Sequence, residues 1–412
     1  MPNFSIPLSG LTAESTALSA IANNLSNQNT TGYKDTTVQF SDLFYQNLGT
    51  TGSGDPIQVG AGTQVAAMPG LFTQGSVEST GVPTDVAIQG SGFFVVQNSS
   101  GALSYTRAGD FSLDASNNLV TSSGQQVLGY PAVNGVVNTG AGIGPLQLGT
   151  GTISPPAATA NVQLTTNLNG AANVGDTFST PVNVYDSLGA SHTLTFTYTN
   201  TGPGTWSYNI SIPAADVGQT GNPVVLSSGN LTFDSNGNLT LPAANVTGIT
   251  ATGLADGAAN LNFTWDLYNG GTPLLTQVAA PSSTSAISQD GASSGSLVSF
   301  SIGPDGTISG SFSNGKTEAL GELALANFAN PDGLQLDGST DYSPTLASGA
   351  AVNGVPGTGG LGTISGGALE LSNVDIATEF ANLIVAQRGF EADAKAVTTF
   401  DQITQDTIAL KQ

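Results

Sequence analysis

Apolar positions follow a helical period at both ends of the chain and an alternating one between them. Near the C-terminus Ile376, Leu383, Phe390 and Val397 recur every seven residues, with Phe380 and Ala394 in the alternate slots. A 3.5-residue repeat is the seam of a helix that packs on another helix. After Val397 the row shifts phase to Phe400, Ile403 and Leu410, which rotates the contact face. Ser372 with Asp375 reads as an N-cap pair. The pattern therefore predicts a helix over 374–412, ~55 Å long or slightly more at ~1.5 Å per residue, too long to fold against a small core. At the N-terminus Phe4, Leu8, Leu11, Leu18, Ala22 and Leu25 keep the alternating four and three spacing, interrupted by Ser15, and Gly32 can end the stretch in a left-handed conformation. Two readings stay open: the helices staple the chain ends together, or they also present a seam to neighbouring subunits.

Between the helices the signal is β. Residues 26 to about 75, rich in Asn, Thr, Gly and Ser with short apolar patches such as Val38 to Phe44, read as an extended connector. From Val86, short runs at 86–88, 92–96, 104–106, 111–113 and 118–120, separated by Gly, Asn and Asp, read as hairpin strands. Candidate strands continue at 182–185, 192–198, 206–212, 231–233 and 263–267, with Asp234 to Asn238 as a turn. A last set lies at 297–302, 307–312 and 322–329, with a turn at Pro304 to Gly306. Because the region after 285 repeats the spacing of 86–145, one β-domain is nested in another. The fold class is mainly β and multidomain, with nested β-domains and terminal α-helices forming a coiled-coil-like layer. The expected divisions are helices at 1–30 and 372–412, connector at 31–80 and 350–371, first β-domain at 81–148 and 286–349, and inserted outer β-domain at 149–285.

Composition narrows the chemistry. The 412 residues exceed what one core normally takes, and 54 Gly and 20 Pro with 39% hydrophobic residues fit turn-rich β-structure with packed cores. A formal charge of −22 with six Lys and Arg argues against nucleic acid or an anionic membrane as partner. It also makes copies repel, so assembly must bury apolar surface or screen charge. The absence of cysteine removes disulfides, thiolate metal sites and cysteine nucleophiles. No run is long enough to span a bilayer. No Lys or Arg precedes Lys34, so the expectation is export without a cleaved signal peptide.

Catalytic and cofactor patterns fail on context. Gly291 to Gly295 fits a nucleophile elbow, but a strand follows it and the sole histidine, His192, precedes the serine. Gly357, Gly359 and Gly362 have no strand leading in. Asp234, Asn236 and Asn238 mimic a calcium loop, but Leu239 stands where glycine is needed and Asn245 where the bidentate glutamate belongs. His192 reads as a packed or surface residue. No catalytic, cofactor or metal residue is assigned, and no enzyme activity is expected. Lys34, Arg107 and Arg388 are, in so acidic a chain, either partners for a neighbour's carboxylates or members of local ion pairs.

Three blocks carry a family resemblance. Ser9 to Thr12, Ile21 to Asn27 and Thr31 to Lys34, then Asp85 to Ile88, Gly92 to Phe94, Tyr105 to Phe111 and Gly129-Tyr130, then Ser372 to Asp375 and Gln387 to Asp393 resemble the bacterial flagellar axial proteins. Ser313 to Lys316, Leu320-Gly321, Leu325 to Pro331 and Gly333-Leu334, together with the length, are similar to the hook proteins within that family. The resemblance is weak or absent over about 150–285, and Gly389 stands where alanine belongs.

The resemblance implies a structural subunit of a short, curved helical tube at the cell exterior that couples motor torque to a filament. The alternatives are a distal rod subunit, which would form straight tubes, or a surface enzyme or adhesin. It further implies, as partners, copies of itself, the distal rod protein, the hook–filament junction protein, the hook cap and the flagellar export apparatus. Phe4, Leu8, Leu11, Leu18, Ala22, Leu25, Ile376, Phe380, Leu383, Phe390, Val397, Phe400 and Ile403 are the expected subunit interface. On that basis Leu18→Asp or Leu383→Asp would block polymerisation, and the terminal helices would order on assembly.

Overall fold

The computed structural model describes residues 5–148 and 152–410, so Phe4 lies outside the described residues. The chain forms two compact units. The first takes Met1–Gly149, Phe300–Gly310 and Glu318–Gln412, and the second Thr150–Ser299 and Ser311–Thr317. The second unit thus runs past residue 285. The reason is a strand, Ser283–Gln289, that pairs antiparallel along Asn161–Asn169 in the second unit's own sheet.

In the first unit, helix α1 spans Ser5–Ser26 and helix α2 spans Ile376–Ala409, so α1 ends before residue 30 and α2 starts after residue 374. The start of α2 corrects the expected cap. Asp375 Oδ1 accepts from the N–H groups of Ala377 and Thr378 at 2.8 and 3.0 Å, so Asp375 itself is the N-cap. Ser372 Oγ accepts instead from the Val374 N–H one turn earlier.

The connector is more structured than its sequence suggests. β1 (Gln39–Asp42) pairs antiparallel with β4 (Thr63–Ala67), and β2 (Gln46–Thr50) pairs with β3 (Pro56–Val59). Nearly every residue of this nested hairpin is exposed. With no face toward a core there is no apolar alternation to read, and the backbone ladder with the Thr51–Asp55 turn holds the element.

β5 (Val77–Ser79) pairs with Ala368–Glu370, and β6 (Val86–Gln89) pairs with Thr363–Gly366. The N- and C-terminal limbs of the chain are therefore zipped together just ahead of α2. β7 (Phe93–Gln97) lies between β8 (Leu103–Thr106), Gln126–Val133 and Leu325–Asn327. Phe94 and Val96 enter one hydrophobic cluster, Phe93 and Val95 another. Burial on both faces is why this segment reads as an unbroken apolar run.

The second unit pairs two sheets over one core. Thr177–Tyr185, Ser191–Gly202, Thr205–Ile212, Val224–Phe233 and Leu239–Leu241 form an antiparallel sheet in that order. The other sheet centres on Asn161–Asn169, parallel to Leu261–Asp266 and Leu275–Val278. Strict alternation buries Leu194, Phe196 and Tyr198 from one sheet against Phe263 and Trp265 from the other. Residues 234–238, which imitate a calcium loop, form a hairpin turn. Asp234 Oδ1 accepts from the Asn236 and Asn238 N–H groups at 2.9 and 2.8 Å, with Gly237 at φ +82°.

Candidate assembly surface

The two helices of the first unit pack antiparallel. Asn24 near the end of α1 meets Glu379 in the first turn of α2, whereas Gly10 near the start of α1 lies against Asp393. The row of α1 that is buried is Ala13, Ala17, Ala20 and Asn24; on α2 it is Glu379 and Ala386. Small side chains let two helix axes approach closely. A Cβ at Gly10 would sit 2.3 Å from Asp393 Oδ2, and one at Gly389 would sit 2.9 Å from Glu14 Oε1. The departure from alanine at 389 thus leaves room for the Glu14 side chain of α1.

Asn24 is the hub at one end of this pair. Its amide donates to the carboxylates of Asp35 and Glu379 and to the Thr36 carbonyl, while its Oδ1 accepts from the Tyr33 hydroxyl at 3.0 Å and the Thr36 N–H at 3.2 Å. Asn373 supports the arrangement by accepting from the Asp35 N–H at 2.8 Å and donating to the Leu71 carbonyl at 2.7 Å.

Below the hub lies a buried charged junction. Glu370 Oε1 is 2.6 Å from Lys34 Nζ, and Glu370 Oε2 is 3.3 Å from Arg107 Nη1, with all three side chains at most 3% exposed. Gly75 N–H donates to the same Oε1 at 2.9 Å, Lys34 also donates to the Thr73 carbonyl, and Arg107 donates to Gly90 while its guanidinium lies over the Phe93 ring. Burial pulls the Lys34 pKa down, against the attraction of Glu370. Gly32 makes the approach possible. Its φ is +66°, a Cβ there would lie 2.5 Å from the Arg107–Ala108 backbone, and its N–H donates to the Glu370 carbonyl at 2.8 Å. Lys34 and Arg107 are thus internal ion-pair partners. Arg388 is exposed, and no ion pair of it occurs among the described residues.

The expected interface residues divide into two groups. Leu11, Leu18, Leu25, Leu383, Phe390, Val397 and Phe400 are half-buried, whereas Leu8, Ala22, Ile376, Phe380 and Ile403 are exposed. The single seam predicted on α2 is therefore split. Ile376, Phe380 and Ile384 form an outward row at four-residue spacing, while the inward contact uses alanine, glycine and polar side chains that hydropathy does not register. The exposed hairpin adds a second apolar patch, Phe44, Tyr45 and Leu48, with Phe44 94% exposed. Glu370 and Glu379 were not singled out by sequence, and Asn24 entered only within the block Ile21 to Asn27. The available signal was the scarcity of cations, which made Lys34 and Arg107 conspicuous.

Two carboxylates at the helix junction have pKa values above the usual range, Glu14 through burial and the nearby Asp393, and Asp35 through burial and Glu379. A raised carboxylate pKa means the folded state binds the proton more tightly than the unfolded one. Stability then grows as pH falls through the folded pKa, and the gain is complete below the ordinary values of 4.5 and 3.8. We expect amide protons of α1 and α2 to exchange more slowly near pH 5 than near pH 7 after correction for intrinsic rates. Glu14→Gln should shrink that difference.

Four family models match the chain. They are the flagella basal body rod protein over residues 6–34, the flagellar hook protein FlgE/F/G D1 domain over 87–170, the flagellar basal body protein FlaE D2 domain over 157–292, and the flagellar basal body rod FlgEFG protein C-terminal region over 365–410. The flagellar hook protein FlgE of Escherichia coli strain K12 is 34% identical, covering 99% of this chain and 100% of that protein. That of Salmonella typhimurium is 35% identical with the same coverage, and that of Treponema pallidum is 35% identical over 98% of each. The chain belongs to the flagellar hook protein family. The crystal structure of Helicobacter pylori flagellar hook protein FlgE2 shares the fold, with a TM-score of 0.52 and 17% identity over 71% of this chain and 100% of that one.

For this member of the flagellar hook protein family, the matched regions give the charged junction a further meaning. Lys34 closes the N-terminal match, Arg107 lies in the D1 match and Glu370 lies near the start of the C-terminal match. One buried carboxylate therefore clamps three separately matched regions of a hook-family chain at a single point.

Proposed function

We infer that the chain is a structural subunit of the flagellar hook that polymerises through its terminal helices into a curved tube. Full-length similarity to flagellar hook proteins carries this reading. The outward row Ile376, Phe380, Ile384 and the hairpin residues Phe44, Tyr45 and Leu48 support it, because exposed apolar rows beside a strongly acidic surface suit a contact that excludes water. The exposed members of the expected interface, Leu8, Ala22, Ile376, Phe380 and Ile403, face neighbouring copies, while the half-buried ones hold α1 to α2. The tube acts as a flexible coupling for motor torque. Its family neighbours at the tube ends are the distal rod protein, the hook–filament junction protein and the hook cap, and it reaches the exterior through the flagellar export apparatus.

Electron microscopy of the purified chain at high salt, where repulsion between copies is screened, tests the reading. Curved tubes are expected. Straight tubes would transfer the assignment to the rod, and a chain that stays monomeric at every salt and protein concentration would overturn it.

A further inference from the structure

The second unit holds a cluster outside the helix and hairpin surfaces described above. Its sequence contains one Lys or Arg, Lys316, whose Nζ donates to the Asp290 carbonyl at 2.8 Å, and the chain's sole histidine, His192. Three aspartates from separate segments converge on that histidine. Asp186 follows the strand Thr177–Tyr185, Asp216 lies in the short 3-10 helix Ala214–Val217, and Asp256 lies in the loop before Leu261–Asp266. Asp186 Oδ2 is 3.2 Å and Asp256 Oδ2 is 3.7 Å from His192 Nε2, while Asp216 Oδ2 is 3.1 Å from Nδ1.

We propose that His192 Nε2, Asp186 and Asp256 bind one divalent transition-metal cation of the zinc class, with Asp216 orienting the imidazole from its far side. A neutral imidazole carries one N–H. Placed on Nδ1, it donates to Asp216 and turns the Nε2 lone pair toward two carboxylates. Three electron-rich ligand atoms then face one another with nothing positive between them. Metal-binding histidines usually donate their other ring N–H to a carboxylate in this way.

A divalent ion offsets more of the cluster's charge than a single proton does. An imidazolium among three carboxylates leaves a net −2, whereas a neutral imidazole with a divalent cation leaves −1. Asp186 is fully buried, and its Oδ1 is held by the Leu188 and Ala190 N–H groups at 2.8 and 2.9 Å, which leaves Oδ2, turned toward His192 Nε2, as the oxygen that would ligate. The three ligand atoms lie within 4.8 Å of one another, and zinc bonds to N and O of ~2.0–2.2 Å require them to be no more than ~4.4 Å apart. Asp256, which is partly exposed on its loop, closes the difference and leaves a solvent side for entry. An imidazole in the set selects zinc, cobalt or nickel over magnesium and calcium. The bound ion staples the 186–190 turn to the 255–259 loop, which already meet where Ser187 Oγ accepts from the Ala259 N–H at 3.0 Å.

The test uses the full chain, stripped with chelator and titrated with ZnCl2 by calorimetry, with Co2+ as a spectroscopic probe. One saturable site is expected, with Asp256→Asn and His192→Gln each weakening it at least 10-fold and His192→Gln abolishing the visible Co2+ bands. Both tryptophans, Trp206 and Trp265, lie in the core of the second unit. Their fluorescence should report a higher unfolding midpoint with Zn2+ and should verify that each variant is folded. If His192→Gln does not fold, Asp256→Asn, on a partly exposed loop, decides. The proposal fails if no saturable Zn2+ binding occurs, if folded variants bind as well as the native chain, or if the midpoint responds to pH but not to Zn2+.

Discussion

Glu370→Gln will unfold the first unit at markedly lower denaturant while leaving the second unit unchanged. The substitution keeps the shape of the side chain and removes its charge, so Lys34 and Arg107 stay buried without a counter-charge. Removing one partner of a buried ion pair costs about 3–5 kcal/mol, a large share of the ~5–15 kcal/mol that holds a domain folded. Because the two units need not unfold together, each requires its own probe. Tryptophan fluorescence follows only the second unit, so its midpoint serves as the internal control. Hydrogen exchange at Val86 to Ile88, in the first unit's core, follows the other. The triple variant Lys34→Met, Arg107→Met, Glu370→Leu should recover most of the loss, since apolar replacement of a whole buried ionic set is often neutral or better. An unchanged first-unit transition in Glu370→Gln would show that the junction contributes little.

The second large effect is on assembly. Phe380→Asp combined with Ile384→Asp should leave the monomer as stable as before, because both positions are about half exposed and surface changes usually fall within ±0.5 kcal/mol. The same change should raise the critical concentration for tube formation by ~100-fold or more. Burying an apolar side chain of this size stabilises a contact by ~1.5–3 kcal/mol, and each ~1.4 kcal/mol is tenfold in an association constant. Leu383→Asp and Leu18→Asp, the substitutions suggested by periodicity, are less clean, since both residues are half-buried. They would loosen the monomer's own helix pair as well as any contact between copies. Normal tubes from the Phe380, Ile384 variant, seen by microscopy and sedimentation, would remove this row from the interface.

The architecture was legible where burial imposes a period. The alternation in 192–198 and the two-sided run at 92–96 each mark a strand whose residues meet a core, and the structure places strands there. The terminal helices were legible as helices, but their contact face was not. A seam of Ala13, Ala17, Ala20, Ala386 and Gly389 is chosen for small volume, and hydropathy ranks Phe380 and Ile376 above it. The connector hairpin left no signal because no face of it is buried. The junction stayed hidden for a different reason. A single Glu among 28 acidic residues looks solvated until the chain brings positions 34, 107 and 370 together.

Those three positions also set an order of events. A ribosome releases Lys34 and Arg107 long before Glu370, so the growing chain carries both cations with no counter-ion for their site until its closing stretch emerges. The first unit therefore has a built-in completeness check. A product truncated ahead of residue 370 lacks the counter-charge for Lys34 and Arg107, and limited proteolysis should cut it faster than the full chain.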